Sequence, residues 1–383
     1  ERVGVGVDCT GETCNLGRLG VIGMKGCEEM VQKINAHLQK FNQEEGKQTD
    51  SFLIPVSSPR FGTGEAKALI MHSIRTYDMY IVMDAFNYGV TYKMYGQERP
   101  MSPDDHFQDV KRVISAMGGK AKRITVIMPM LYEGRQHKRV ARESLDCALA
   151  LQELETMGVD NIITFDAHDP RVQNSIPLTG FENVHATYQM IKACLRYDDQ
   201  IILNKDNTMI VSPDEGAVGR CIYYSSVLGM DLGMFYKRRD YATVVDGKNP
   251  IVAHEFLGSD LAGKDVIVVD DMIASGDSMI DVAKELKKRK ARRVLVFSTF
   301  GLFTEGLDKF NQAYESGLID AVFTTNLVYR MPELLKAPWY HEVDMSKYIA
   351  LIIKTLNDDN SISELLTPIG RIEKILNKYR GQA

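Results

Sequence analysis

Apolar residues along this chain alternate between short continuous runs and stripes at helical spacing. Gly20–Met24 forms a strand-like run, and the segment after it places Met30, Val31, Ile34, Leu38 and Phe41 on one helical face. Runs at Phe52–Val56, Ala68–Met71 and Tyr80–Met83 predict further strands. A helix start follows: Ser102 as cap, Pro103 in the first turn and Asp105 three residues after the cap. Its stripe is Phe107, Val110, Ile114 and Met117, and Gly118-Gly119 ends it. Ile124–Met128 and Ile162–Phe165 predict strands on either side of a helix over Leu145–Met157. The rhythm resumes with strands at Met209–Val211, Met234–Tyr236, Val266–Val269, Val294–Phe297 and Ala321–Phe323. Val266–Val269 is unbroken and β-branched, the pattern of a strand covered on both faces. The fold class is therefore α/β, with mainly parallel sheets flanked by helices. Asn174-Ser175-Ile176-Pro177 and Gly180 interrupt the pattern, which sets a domain boundary near residues 175–185.

Composition narrows the function classes. The 383 residues are 44% hydrophobic and 25% charged, which excludes a disordered or fibrous chain. Forty-six basic against 51 acidic residues leave a net charge of -5, so there is no overall basic surplus to hold duplex nucleic acid. No apolar run reaches membrane-spanning length, and Glu1-Arg2-Val3-Gly4 lacks signal-peptide character, so no membrane association is expected. Six dispersed cysteines read as reduced thiols, and Cys9 and Cys14 have no second Cys or His pair nearby to complete a zinc site. A cytoplasmic protein is expected. The basic run Lys284–Arg293 reads as the solvated face of one helix.

Four segments carry candidate chemistry. Val266–Val269 delivers Asp270 and Asp271 to a strand's C-terminal end, where open α/β sheets place ligands. Ser275-Gly276-Asp277-Ser278 then opens a helix whose free N–H groups suit a phosphate, while the two acids suit a polyol or Mg2+. Asp166-Ala167-His168-Asp169 also follows a strand. Asp214 follows another, and Gly216 and Gly219 allow close backbone approach to a ligand. Lys237-Arg238-Arg239 leads into a long stretch, Asp240 to Gly263, that reads as an irregular loop able to close over an anion. Two look-alikes fail on context. Gly258 to Lys264 has nucleotide P-loop spacing but precedes a strand and lacks the Ser or Thr, and Ser278 has no evident His and acid partners of a hydrolase.

In this order the segments resemble the ribose-phosphate diphosphokinases, the synthases of phosphoribosyl diphosphate. Arg60-Phe61-Gly62-Thr63-Gly64-Glu65 resembles that family's N-terminal nucleotide loop, and Pro129 with Gly134-Arg135-Gln136 its ATP loop. Asp166-Ala167-His168, Ser212 to Gly216, Lys237 to Arg239, the Asp270–Ser278 loop and Ser361-Ile362-Ser363 follow in family order, over roughly residues 18 to 366. Residues 1–17 and the tail after Thr367 look like extensions.

The resemblance implies two similar type I phosphoribosyltransferase-like domains with the active site between them and near a subunit interface. The first covers 1–180, joined by C-terminal helices of about 345–383, and the second covers 181–344. It implies Mg2+-dependent transfer of diphosphate from ATP to ribose 5-phosphate by a homo-oligomer, a dimer or hexamer. Phe61, Glu65, Arg135, Gln136 and His168 would contact ATP, with His168 and Asp214 on the metal. Asp214, Asp270, Asp271, Ser275, Gly276, Asp277 and Ser278 would hold ribose 5-phosphate, and Lys237 and Arg239 would be the catalytic cations. The sequence departs from the family at Ala274, Asp277, Thr63, Tyr132-Glu133 and His137; Asp277 sets a carboxylate where glycine is usual. A phosphoribosyltransferase and a non-catalytic regulatory relative of the synthase are the alternatives.

Overall fold

The computed structural model describes residues 17–47, 49–239 and 251–379, with the side chains of 237–239 and 251–254 outside the description. The Cys9 and Cys14 reading falls outside it too. The chain divides into two compact units. One comprises Glu1–Thr164, Asp169–Val184 and Ser346–Thr367; the other comprises Phe165–His168, His185–Met345 and Pro368–Ala383.

In the first unit the elements are β1 (Arg18–Gly23), α1 (Glu28–Glu44), β2 (Val56–Ser57), β3 (Leu69–Ile70), β4 (Tyr77–Val82), β5 (Thr91–Met94), β6 (Gln97–Pro100), α2 (Pro103–Met117), β7 (Arg123–Ile127), α3 (Asp146–Thr156), β8 (Asn161–Phe165) and β9 (Gly180–Val184). A five-stranded sheet runs β1-β4-β7-β8-β9, and its β1–β4, β4–β7 and β7–β8 pairs are parallel. Helix α2 starts as its sequence predicts: Asp105 N donates to Ser102 Oγ at 3.1 Å and Ser102 N to Asp105 Oδ2 at 3.0 Å. Gly118 ends it in the left-handed region. Phe107, Val110, Ile114 and Met117 are buried in the core that also takes Ile22, Met79, Ile81 and Val126. The hairpin β5–β6 was not anticipated.

The second unit contains α4 (Thr187–Tyr197), β10 (Thr208–Ser212), α5 (Val218–Leu228), β11 (Asp231–Arg239), β12 (Ile251–Leu257), β13 (Asp265–Ile273), α6 (Asp277–Lys288), β14 (Arg293–Gly301), α7 (Asp308–Glu315), β15 (Ala321–Thr325) and β16 (Tyr340–Val343). Its seven-stranded sheet runs β12-β11-β10-β13-β14-β15-β16, and only β12 is antiparallel. β13 is central, and Val266–Val269 are buried on both faces.

Three expectations change. The stretch after Arg239 is not irregular throughout, because Ile251–Leu257 returns as β12 along β11; residues 240–250 lie outside the described residues. The basic run does not occupy one helix: α6 ends at Lys288, and Arg292 and Arg293 both grip buried Asp265 at 2.6 and 2.7 Å. A buried carboxylate needs such partners, so these two arginines are structural and not a solvated face. The tail also divides. α8 (Ser346–Asn357) and α9 (Ser363–Leu366) group with the first unit, whereas α10 (Ile369–Tyr379) groups with the second and packs on α4. Its buried Ile372 and Leu376 give it an apolar stripe to cover there. Among the described residues no helix is long and apolar enough to cross a membrane, and Cys27, Cys147, Cys194 and Cys221 are buried free thiols.

Candidate active site

Toward the C-terminal end of strand β13, which runs on to Ile273, two carboxylates meet a cation. Asp271 N donates to Asp270 Oδ1 at 2.8 Å, which fixes the first carboxylate against its own backbone. Asp271 is the deeper of the two, its side chain 6% exposed against 23% for Asp270. His168 reaches it through Nδ1, 2.7 Å from Asp271 Oδ2. Arg220, two residues into α5, places Nη1 4.0 Å from Asp270 Oδ1. Burial and the neighbouring charge of Asp271 push the Asp270 carboxyl up to about 8. Burial would raise Asp271 as well, but the His168 hydrogen bond and the Arg220 charge outweigh it and hold that carboxyl below its usual range. The pair therefore favours one negative charge over two.

Asp166 sets the approach of His168. It is buried, with φ of 39°, so the chain turns sharply two residues before the histidine. Its carboxylate accepts from Thr299 Oγ1 at 2.7 Å and Ala186 N at 3.2 Å and lies 2.7 Å from His185 Nδ1. These bonds offset the left-handed backbone of a non-glycine residue.

The loop after β13 makes a second feature. Gly276, at φ 87°, caps α6, and a Cβ built there would fall 2.4 Å from the Phe310 ring. Only glycine meets both demands. The first N–H groups of α6 have no partner within the helix and face the turn. Ser278 is exposed in this first turn, and Ser275 Oγ donates to Asp277 Oδ2 at 3.1 Å. The Asp277 carboxylate stands out in solvent and takes Lys309 Nζ at 2.6 Å, which lowers its pKa.

Asp214 is partly committed to local structure. Its Oδ1 accepts from Gly216 N at 2.9 Å and Ala217 N at 3.1 Å, shaping the turn into α5. Lys237 and Arg239 lie near the end of β11, opposite His254 and Ile251 in the pairing; their side chains are outside the described residues.

The remaining candidates belong to the first unit. Phe61 is 52% exposed on a tight turn in which its N–H donates to Glu65 O at 2.8 Å. Glu65 Oε2 accepts from Thr63 Oγ1 at 3.0 Å. Beneath this turn Arg60 donates to Asp109 at 3.0 Å and to Gly64 O at 3.1 Å, so a buried arginine holds the loop that presents Phe61. Arg135 is exposed, whereas Gln136 donates to Ser144 O at 2.9 Å and ties its own loop. His137 Nε2 lies 3.5 Å from Asp169 Oδ2.

Sequence reasoning assigned no role to Arg220, His185, Thr299 or Lys309. Arg220 had a signal, since it follows Gly219 in a segment already singled out, but a helix-start arginine does not disclose which carboxylates lie under it.

Mg2+ suits this donor set. Two adjacent carboxylates supply hard oxygen ligands, and their mutual repulsion is what a divalent cation would relieve. Among the described residues no three His, Cys, Asp or Glu side chains converge as a cage.

Known proteins share both halves. The model of the N-terminal domain of ribose phosphate pyrophosphokinase matches residues 19–158, and that of the phosphoribosyl transferase domain matches residues 180–302. A ribose-phosphate pyrophosphokinase of Shewanella oneidensis is 28% identical over 314 residues, covering 80% of this chain and 89% of the relative. Another, from Mycoplasma pneumoniae, is 26% identical over 317 residues, covering 82% and 88%. The crystal structure of phosphoribosylpyrophosphate synthetase from Mycobacterium smegmatis superposes with a TM-score of 0.72 at 19% identity, over 90% of this chain and all of that one, and so shares its fold.

Proposed function

Because the chain belongs to the ribose phosphate pyrophosphokinase family, whose two domain models match over more than half of it, we propose that it makes 5-phosphoribosyl 1-diphosphate and AMP from ATP and ribose 5-phosphate. The observation that carries this reading is the end of β13: paired Asp270 and Asp271, His168 bonded to Asp271, and the Gly276 turn into α6. Carboxylates there suit the ribose hydroxyls, and the turn suits the 5-phosphate. Both lie on one strand-to-helix connection, which sets sugar and phosphate at a fixed separation.

In the proposed reaction the anomeric hydroxyl oxygen bonds to the β-phosphorus of ATP. The bond from that phosphorus to the α–β bridging oxygen breaks, AMP departs with the electron pair, and the hydroxyl proton is released. Such a transfer needs little covalent help from protein; alignment and neutralisation of spreading charge dominate. Lys237 and Arg239 are the cations assigned to that charge, and Arg135 and Gln136 to ATP. Phe61 offers a ring for adenine, with Glu65 beside it. Mg2+ bound by His168 and Asp214 would polarise the phosphate oxygens, and the adjacent Asp270 and Asp271 would suit a second such ion as well as the sugar. Asp270 and Asp271 would orient the sugar, and Arg220 and His168 keep Asp271 ionised for that task. A homo-oligomer in the cytoplasm belongs to the same proposal, by likeness to the family.

The test is nucleotide analysis after incubation with ATP, Mg2+ and ribose 5-phosphate. AMP that appears only with the sugar phosphate, without ADP, is the expected result. ADP would mean ordinary phosphoryl transfer and overturn the mechanism, and the absence of both products would overturn the synthase reading. The transferase alternative predicts instead consumption of phosphoribosyl diphosphate in the presence of a base. Against it stands the match of residues 19–158 to the synthase's own N-terminal domain.

A further inference from the structure

An acid in the first turn of a phosphate-binding helix is a physical contradiction. The N-terminal end of α6 attracts negative charge, and the Asp277 carboxylate is the nearest permanent one. Left facing the turn, it would repel the phosphate the turn is shaped to hold. The structure places it elsewhere. Its side chain is 60% exposed and one oxygen lies 2.6 Å from Lys309 Nζ. The other accepts from Ser275 Oγ at 3.1 Å, so both oxygens already have partners.

Lys309 does not reach Asp277 by chance of rotamer. Its neighbour Phe310 is 1% exposed and packs directly under Gly276, held by Trp339 at 5.3 Å and Phe303 at 5.1 Å between ring centroids. The start of α7 is thereby fixed against the loop, and the residue before Phe310 arrives beside the residue after Gly276. Glu305, in the turn before α7, also bonds to the Lys309 ammonium and steadies it.

We propose that Lys309 is a positioning residue for phosphate binding, which turns the Asp277 carboxylate outward and cancels its charge so that the α6 turn can accept the phosphate of a sugar phosphate. This rests on the assignment of ribose 5-phosphate to that turn. Lys309 acts through Asp277 and is not itself a ligand of the phosphate.

A double-mutant cycle on the full chain tests it, with AMP release measured against ribose 5-phosphate and against ATP. Lys309→Ala unmasks the acid and raises KM for ribose 5-phosphate about tenfold, the scale of one like charge several ångströms away in a solvent-facing site. The KM for ATP and kcat stay within about twofold. Asp277→Asn alone lowers KM for the sugar phosphate, because the Lys309 charge is then no longer cancelled by the acid, and Lys309→Arg behaves like the wild type. The decisive variant is Lys309→Ala with Asp277→Asn, in which the KM returns to within about threefold of wild type because there is no longer an acid to mask. Both side chains are exposed, so the variants should melt within a few degrees of wild type. Lys309→Gln serves if the alanine variant does not fold.

A double variant as impaired as Lys309→Ala would make Lys309 a direct phosphate ligand and overturn the proposal, as would a Lys309→Ala enzyme with unchanged KM. In both cases wild-type AMP release would leave the synthase reading standing. Wild-type protein that releases no AMP with ribose 5-phosphate would remove that reading and this inference with it.

Discussion

Substituting Gly276 by alanine adds one methyl group to the loop and changes no charge or hydroxyl, so it isolates the loop's backbone and packing. Two costs arise. The residue sits at φ 87°, and an L-residue held in that left-handed region costs about 1–2 kcal/mol. The new Cβ would lie 2.4 Å from Phe310 Cε2 and 2.9 Å from Cζ, far inside van der Waals contact. Phe310 cannot swing aside, because Phe303 and Trp339 pack against it, and forcing an extra carbon into such a core costs about 1–3 kcal/mol. Together the penalty is about 2–5 kcal/mol, or roughly 4–20 °C in melting temperature for a domain of ordinary size. Gly306→Ala is the matched control. It has a similar φ of 79° but nothing within 4 Å of its Cβ, so it carries the backbone term alone. Thermal unfolding of both variants measures the difference, about 1–3 kcal/mol in favour of the control. Sugar phosphate KM should rise for Gly276→Ala only. Equal melting temperatures for the two variants would refute the close packing of Phe310 beneath the loop, and with it the registration of α7.

Other outcomes follow from the same geometry. Lys237→Ala and Arg239→Ala should each lower kcat about 100-fold or more with little change in melting temperature, the scale for removing a donor to transition-state charge; near-normal turnover in both would remove them from the site. Arg220→Met leaves the carboxylates of Asp166, Asp270 and Asp271 facing one another without their shared cation, so urea unfolding should show a loss of about 3–5 kcal/mol. An unchanged midpoint would mean that water or bound cations already balance those charges. His185 is raised above its ordinary value by its hydrogen bond to Asp166, with burial opposing. Its stabilisation is complete below about pH 6.5 and is lost as pH rises through the raised folded value. Wild-type melting temperature should therefore fall between pH 6 and 8.5 by more than that of His185→Asn, and equal slopes would contradict the assignment.

What could be read from sequence was whatever local chemistry decides. The α2 capping box and the buried β13 run depend on neighbours within a few residues and appear where the pattern puts them, although β13 runs on through Asp270 and Asp271 to Ile273. Elements decided by distant partners were missed. β12 exists because β11 offers it an edge to pair with, and its Ile251–Leu257 sequence mixes apolar residues with His254 and Glu255. β5 alternates over only four residues, Thr91-Tyr92-Lys93-Met94, and β6 is exposed and polar throughout, so no pair of apolar runs announces the hairpin. The basic run misled for the same reason, since the carboxylate that recruits Arg292 and Arg293 lies 27 and 28 residues earlier at Asp265. At the site, residue types pointed to Asp270, Asp271 and His168, but the Arg220 and His185 contacts form only when separate strand ends and helix starts converge. Asp277 looked like a defect in the motif until its partner on α7 was in view.

The first unit also has a consequence for how the chain is made. Asp78 lies fully buried in β4, where Arg123 grips it at 2.7 Å and Asn357 Nδ2 donates to it at 3.0 Å. Arg123 in turn donates to Leu356 O at 2.9 Å, and Lys354 of the same helix pairs with Glu45 at 3.0 Å. The earlier-made of the two sheets thus depends on a helix made well after it. At about 5–20 residues per second, the roughly 170 residues between the end of β9 and the end of α8 amount to a delay of roughly 9–35 seconds. Throughout that interval one flank of α1 and the Asp78 carboxylate wait for α8, while the second sheet can form in full. Premature termination anywhere before residue 346 would leave the earlier-made sheet as the incomplete partner, and nascent-chain quality control would meet a first unit whose last hydrogen bonds had not yet been made.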